Sequence, residues 1–124
     1  MKKYLYVAIG ILVIVGVVWL IVTPGKPGKY DDFAKCIKDA EVTFYGAFWC
    51  KYCRSQKALF GKSAKYLPYV ECSTPDSRGQ LQVCIDAGIK IYPTWQFGSS
   101  TADRITDVIE LVDLADKTSC QLPE

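Results

Sequence analysis

The chain carries two cysteines separated by two residues, in the run Trp49-Cys50-Lys51-Tyr52-Cys53. Two thiols at this spacing can close a disulfide and pass it to another protein through a mixed disulfide. The thiolate is the attacking species, and Lys51 places a positive charge beside it. We therefore expect Cys50 to be the nucleophile and Cys53 the resolving thiol.

The same pair could instead be half of a zinc site or an inert structural disulfide. Zinc needs further cysteines or histidines at ligand spacing. The chain has no histidine, and its other cysteines are isolated at Cys36, Cys72, Cys84 and Cys120. No metal is therefore expected, and the favoured chemistry is disulfide exchange. That chemistry requires no dissociable cofactor because the cysteines carry the electrons.

The neighbouring sequence predicts that Cys50 stands where a strand ends and a helix begins. Residues 41–48 are rich in β-branched and aromatic side chains, which is typical of a buried strand. Residues 54–67 have helical spacing, with Phe60, Ala64 and Leu67 on one face. Backbone N–H groups and the helix dipole at such a junction favour a thiolate.

Helices and strands alternate through the rest of residues 30–124, in the order αβαβαββα. This order predicts an α/β domain with a central mixed β-sheet flanked by helices. The remaining predicted elements are a helix over 31–40, a strand over 67–72, a helix opened by Pro75 and ended by Gly88, a hairpin with strands 94–97 and 101–105, and a last helix capped by Thr106 with an apolar stripe of Ile105, Val108, Ile109, Val112 and Ala115.

An uncharged apolar segment precedes this domain. About 19 residues, 4–22, would span roughly 28 Å as a helix, close to the thickness of the bilayer hydrocarbon. A cleaved secretory signal is the alternative, but the apolar run is too long and no small-residue cleavage site follows. We expect residues 1–22 to be a retained transmembrane anchor, 23–29 a Pro/Gly linker and 30–124 one domain.

Cysteine content indicates the compartment of the domain. Six cysteines in a chain of 124 residues suit an oxidising environment, because cytosolic thiols are kept reduced. We therefore expect a cytoplasmic N-terminus and a domain on the periplasmic, lumenal or extracellular side. The net charge of +2 without a clustered basic face gives no support to nucleic-acid binding.

Several separate blocks of the sequence resemble one known group of proteins. They are residues 44–50, residues 56–61, residues 69–72, residues 87–89 and Tyr92-Pro93-Thr94-Trp95. In order and spacing they are similar to the thioredoxin-like domains associated with bacterial and plant vitamin K epoxide reductase homologues. Those domains are often fused to the membrane enzyme. The resemblance covers about residues 33–118 and implies a thioredoxin-like fold behind one N-terminal transmembrane helix.

The resemblance implies a function in oxidative protein folding. The domain would exchange its disulfide with exported proteins and be reoxidised by a vitamin K epoxide reductase-like or other quinone-linked membrane oxidase. Since there is only one predicted span, we expect that partner to be a separate chain. The alternatives are a reductase or isomerase with the same motif, and a non-catalytic module that binds peptides.

The resemblance also assigns supporting residues. Pro93 would be cis, and Tyr92 would line the substrate groove. Trp49 is expected to be exposed and functional, with Lys51 and Tyr52 beside it, whereas Trp95 is expected to pack in the core.

Two residues depart from the family pattern. The family commonly has Pro-His between the motif cysteines, where this chain has Lys51-Tyr52, which places the redox direction in question. Phe44 occupies the position of the buried acid that assists the second cysteine in thioredoxin.

The four other cysteines allow three pairings. The resemblance favours a disulfide between Cys72 and Cys84, which leaves Cys36 and Cys120 near the two ends of the domain. The first and last helices of this fold usually lie on opposite faces of the sheet, so Cys120 would have to reach around an edge. The alternative is that Cys36 or Cys120 is a free or relay thiol.

Overall fold

Alternating apolar residues build the centre of the sheet. The computed structural model describes residues 1–23 and 25–124. Strand β1 (Val42–Gly46) buries every second residue on one face, and β3 (Thr94–Phe97) lies antiparallel to it. On β1's other side, β2 (Tyr69–Glu71) runs parallel, and β4 (Arg104–Ile105) closes the sheet beside β3. The order β2-β1-β3-β4 makes β1 and β3 the central strands.

Five α-helices are present in the described residues. After α1, the helices and strands follow the predicted order αβαβαββα. The mixed sheet flanked by helices therefore confirms the predicted α/β, thioredoxin-like fold. The helices are α1 (Lys2–Val22), α2 (Asp31–Asp39), α3 (Lys51–Phe60), α4 (Gln82–Asp86) and α5 (Leu111–Thr118).

The main hydrophobic core lies between one face of the sheet and three helices. Phe33 of α2 stacks on Phe60 of α3 with ring centroids 5.8 Å apart, and Phe44 stacks on Trp95 at 4.4 Å. Leu114 of α5 joins the same cluster. Trp95 is fully buried, so the expectation that it packs in the core is confirmed.

The first and last helices of the domain do not lie apart as the resemblance suggested. Helix α2 contacts α5, and both contribute to the same core cluster. Cys36 and Cys120 consequently meet, and their sulfur atoms are bonded at 2.06 Å. A smaller cluster of Cys72, Cys84 and Ile89 packs separately and includes the second disulfide.

The motif helix differs from its predicted bounds at both ends. It begins at Lys51, immediately after Cys50, instead of at Arg54. It ends at Phe60 because Gly61 has a φ of 54°, in a region that side chains rarely adopt. Residues Gly61–Tyr66 continue as a 3₁₀ helix, so the helical pattern to residue 67 covers two elements.

The predicted helix after β2 is shorter than its sequence pattern. Pro75 does not open it, because the chain first forms a tight loop in which the Thr74 hydroxyl accepts from Gly79 N–H at 2.9 Å and donates to Asp76. Helix α4 begins only at Gln82. The predicted role of Gly88 is confirmed, since it follows the helix with a φ of 66°.

The last helix is also shorter. It begins at Leu111, and Thr106 is not its cap. The predicted apolar stripe is therefore wrong: Ile105 lies in β4, Ile109 is buried from the preceding loop, and Val112 on the helix is exposed. The apolar residues at spacings of three and four before Leu111 therefore belong to a strand and a loop that pack on the core. Only the last part of the predicted stripe lies on a helix.

The N-terminal helix α1 is long and apolar enough to cross a membrane, and a signal sequence would have the same properties. Of the predicted linker, Pro24 lies outside the described residues. Gly28 N–H donates to the Asp31 carboxylate at 3.1 Å, and Tyr30 N–H donates to the Ser63 hydroxyl at 3.0 Å. The end of the predicted linker is therefore attached to the domain.

Candidate active site

The two motif cysteines lie at the N-terminus of α3. Cys50 is the N-cap residue, and its Sγ accepts a hydrogen bond from the backbone N–H of Cys53 at 3.2 Å. Both are free thiols. Cys50 is 5% exposed and Cys53 1%, so Cys50 is less open than its position at a helix start suggested. One backbone donor of the first helical turn is thus paired with the Cys50 sulfur.

Exposed aromatic side chains surround the entrance to Cys50. Phe48 and Trp49 are each 49% exposed, and Tyr52 is 60% exposed. Lys51 also faces solvent. Large apolar side chains exposed together beside a reactive group are typical of a surface that meets another protein.

Trp49 is held in a defined orientation. Its indole N–H donates to the Ser73 hydroxyl at 2.8 Å, and its ring meets Tyr92 edge-on with centroids 6.0 Å apart. The Tyr92 hydroxyl accepts from the Gln80 side-chain amide at 2.7 Å. These aromatic residues line one open groove of about 420 Å³ together with Ser77, Arg78, Gly79, Gln80, Ile89 and Lys90.

The peptide bond between Tyr92 and Pro93 is cis, and Pro93 is fully buried. The resemblance implied both the cis bond and a groove position for Tyr92. In the structure Trp49, the residue before Cys50, lies in the same groove as Tyr92.

The other four cysteines form two disulfides, Cys36–Cys120 and Cys72–Cys84. None of these four cysteines is therefore a free thiol in this structure. Cys72 and Cys84 are fully buried, and their bond lies at the base of the loop that carries the Ser77–Gln80 side of the groove. Among the described residues, no cluster of three potential ligands could hold a metal ion.

Behind Cys53 lies a group of polar residues that sequence reasoning missed. The Lys57 ammonium sits 3.2 Å from the ring centroid of Tyr69, whose hydroxyl donates to the Glu71 carboxylate at 2.8 Å. Glu71 also accepts from the backbone N–H groups of Phe48 and Ser73, at 3.2 and 2.9 Å. The available signal was the spacing of Lys57, four residues after Cys53 on the same helix.

Burial is the main cause of the pKa shifts in this inner group. It raises the pKa of the Cys53 thiol to about 12, with the hydrogen bond to Cys50 acting in the same direction. Burial also lowers the pKa of Lys57 and raises that of Tyr69. Lys57 opposes the shift at Cys53, because a positive charge nearby favours the thiolate.

A comparison with family models gives no match. A comparison with curated proteins finds thiol-disulfide oxidoreductase LTO1 of Arabidopsis thaliana, which is 38% identical over 96 residues. The match covers 73% of this chain and 24% of the plant protein, so the chain spans about a quarter of that relative's length. This match confirms the resemblance of the chain to the thioredoxin-like domains associated with vitamin K epoxide reductase homologues.

Phe44 shows how this thioredoxin-like domain departs from the family pattern. Its ring stacks on Trp95 in the core, so β1 carries no acid at that position. A carboxylate that acts on Lys57 of the motif helix comes instead from Glu71, at the end of the neighbouring strand β2.

Gln56 is a second residue that the sequence did not single out. It is fully buried on α3, where its amide donates to the Ile109 carbonyl at 2.9 Å. Its carbonyl accepts from the Ile109 N–H at 2.7 Å and from the Trp95 indole at 3.3 Å. Gln56 therefore fixes the motif helix to β3 and to the loop before α5 of the thioredoxin-like domain.

Proposed function

We propose that this chain is a membrane-anchored thiol-disulfide oxidoreductase that passes its Cys50–Cys53 disulfide to exported proteins. The observation that carries the proposal is the position of the free pair. Cys50 caps α3 with its sulfur accepting from the Cys53 N–H, while the other four cysteines are held in disulfides. The homologous plant protein, a thiol-disulfide oxidoreductase, supports the same chemistry.

The exchange proceeds in two displacements. A substrate thiolate attacks the Cys50 sulfur of the Cys50–Cys53 disulfide, and Cys53 leaves as a thiolate and takes up a proton. A second substrate thiolate then attacks the substrate sulfur of the mixed disulfide, which releases Cys50. The substrate loses two electrons, and the domain gains them as two thiols.

The groove beside Cys50 is the proposed substrate site. Trp49 and Tyr92 provide apolar surface, and the buried Pro93 fixes the chain beside Tyr92. Lys51 and Tyr52 lie exposed at the entrance. An extended cysteine-containing segment of an unfolded protein fits this mixture of aromatic and polar groups, because both offer sequence-tolerant contacts.

A quinone-linked membrane oxidase is the proposed source of new disulfides. The resemblance to thioredoxin-like domains associated with vitamin K epoxide reductase homologues supports this source. We propose that an enzyme of that type reoxidises Cys50 and Cys53 here. Purified oxidase with a quinone should reoxidise the reduced domain, and no reoxidation would contradict the assignment.

Helix α1 is proposed to remain as a single-pass anchor, with the N-terminus cytoplasmic and the domain outside. The support is the length of α1 and the six cysteines of the chain. Intact-mass measurement of membrane-extracted protein should retain Lys2 and Lys3. A soluble product beginning near Thr23 would refute the anchor.

The redox potential tests the direction of exchange. Equilibration with glutathione buffers should give a value between roughly −120 and −200 mV if the domain is an oxidant. A potential near about −270 mV, as in thioredoxin, would favour a reductase. If Cys50 and Cys53 do not cycle at all, the domain is a non-catalytic peptide-binding module. During mild reduction Cys72 and Cys84 should be alkylated later than the motif pair.

A further inference from the structure

The motif alone does not stabilise a thiolate at Cys53. In either direction of exchange it must exist as a thiolate, as the leaving group or as the attacker. Yet it is 1% exposed, and burial in a low-dielectric site disfavours a charged sulfur. The Cys50 sulfur accepts from a backbone N–H of the first helical turn, but the Cys53 side chain lies one turn further into α3.

A positive charge is available on the same helix. Lys57 lies four residues after Cys53, which places the two on one face of α3. Its ammonium sits above the Tyr69 ring at 3.2 Å, a cation–π contact in a partly buried position. Lys51 and Arg54 are also near the motif, but both are exposed, and solvent screens their charges.

Gly46 allows this arrangement. A side-chain carbon at Gly46 would lie 2.8 Å from the Tyr69 ring and 3.0 Å from the Cys53 sulfur. The ring of Tyr69 and the sulfur of Cys53 therefore both lie beside Gly46, which has no side chain to separate them. Lys57 covers the ring, so the ammonium is fixed at the inner side of the motif.

Tyr69 and Glu71 hold that position. The Tyr69 hydroxyl donates to Glu71, and Glu71 is anchored by two backbone N–H groups. Glu71 favours the charged form of Lys57, although burial opposes it. The titratable groups that face Cys53 are thus Cys50 at the cap of α3, Lys57 on α3 and Tyr69 on β2, while Glu71 acts on Lys57 and Tyr69.

We propose that Lys57 supplies the positive charge that stabilises the Cys53 thiolate during exchange, with Tyr69 and Glu71 as its positioning residues. This inference rests on the proposed function. It assigns the task usually given to a buried acid on β1 to a lysine on the motif helix and an acid on β2. When Cys53 leaves Cys50 as a thiolate, Lys57 is its counter-ion until the sulfur takes a proton from water.

The direct test is the titration of Cys53 in a chain with Cys50→Ala, followed by thiolate absorbance in the folded protein. Lys57→Met should move the midpoint to higher pH, and Lys57→Arg should restore most of the original value. The matched control is Lys62→Met, since Lys62 is exposed on the 3₁₀ helix. An unchanged midpoint in Lys57→Met, or an equal shift in Lys62→Met, would overturn the proposal.

Exchange kinetics provide the second readout. Reduced protein reacts with oxidised glutathione at Cys50, and Cys53 then resolves the mixed disulfide; acid quenching and mass spectrometry follow the glutathione adduct. With Lys57→Met we expect resolution to slow about tenfold at neutral pH and its pH profile to move upward, while adduct formation stays unchanged. Equal slowing of both steps would indicate a general structural defect and contradict the proposal.

A failure of the role of Lys57 can be distinguished from a failure of the proposed function. If the unsubstituted protein exchanges no disulfide with glutathione, the proposed function fails, but the Cys53 titration still decides the role of Lys57. If Lys57→Met folds poorly, Lys57→Gln retains a polar side chain without the charge, and the same upward shift is expected. No shift in a folded Lys57→Gln would also overturn the role of Lys57.

Discussion

The two sides of the Cys50–Cys53 motif are built on different principles. On the outer side, exposed Trp49 and Tyr52 and the open groove offer contact surface around Cys50. On the inner side, buried Gln56 and partly buried Lys57 follow Cys53 on α3, and each is held by fixed contacts with distant parts of the chain. The outer side is suited to meeting many substrates, whereas the inner side sets how readily Cys53 ionises.

The largest expected difference between the two sides is the fate of the mixed disulfide. Cys53→Ala should trap exported proteins on Cys50, because the resolving thiol is gone while the nucleophile remains. Cys50→Ala should trap none, because Cys53 is almost fully buried. Mass spectrometry of bands from non-reducing gels measures both. Equal trapping by the two variants would remove the distinction between the sides.

A large effect on stability is expected from the inner side. Gln56→Leu would leave the N–H and carbonyl of Ile109 and the indole N–H of Trp95 without their partner. Unpaired buried groups of this kind should lower the free energy of unfolding by about 2–4 kcal/mol. Urea denaturation measures the change. The control is Gln82→Leu on the exposed face of α4, for which a loss comparable to that of Gln56→Leu would contradict the argument.

The inner side should also make the reduced domain sensitive to alkali. The pKa of Cys53 is raised from 9.0 to about 12 in the folded protein, so folding favours the protonated thiol. This contribution is complete below pH 9 and is lost as the pH rises toward 12. The slope for one proton is at most about 1.4 kcal/mol per pH unit.

Urea midpoints of the reduced domain between pH 8 and 11 test this dependence. Cys53→Ala should show a smaller decline, and the oxidised domain should show the same smaller decline. The raised pKa of Tyr69 remains in all three samples, so it does not account for a difference between them. Identical declines would mean that Cys53 is not protected by burial.

The smallest expected effect comes from the outer side. Trp49→Phe removes the hydrogen bond to Ser73 but keeps an aromatic ring beside Tyr92. We expect a loss of about 0.5–1.5 kcal/mol in stability and a few-fold weaker substrate binding, with the resolution rate unchanged. Ser73→Ala should cost a similar amount, and the double variant should cost little more. Additive losses would show that the bond does not orient Trp49.

The sequence was most informative where local pattern and chemistry coincide. The motif pair, the alternation of β1 and the αL glycine at Gly88 each depend on neighbours in the chain, so the fold could be predicted. The pairing of Cys36 with Cys120 depended on which face α5 occupies, and no local pattern specifies that. Apolar spacing before Leu111 was read as helix, although a strand and a loop bury the same kinds of residue.

The burial of polar residues on the inner side could not be predicted from the sequence, for a related reason. Gln56 and Lys57 follow the motif on a helix, where polar residues usually face solvent. Their burial is decided by Ile109, Tyr69 and Glu71, which approach from distant parts of the chain. Only the register between α3, β2 and the loop before α5 reveals that these polar groups meet inside the domain.

The hydrogen bonds from Gly28 to Asp31 and from Tyr30 to Ser63 have a consequence for how the domain searches for its partners. With α1 retained as the proposed anchor, five residues separate it from Gly28, and at about 3.4 Å each a chain of that length spans at most roughly 17 Å. The reactive pair is then confined to a thin layer above the bilayer. Its encounters with a membrane-embedded oxidase become a two-dimensional search, at an effective concentration on the order of millimolar.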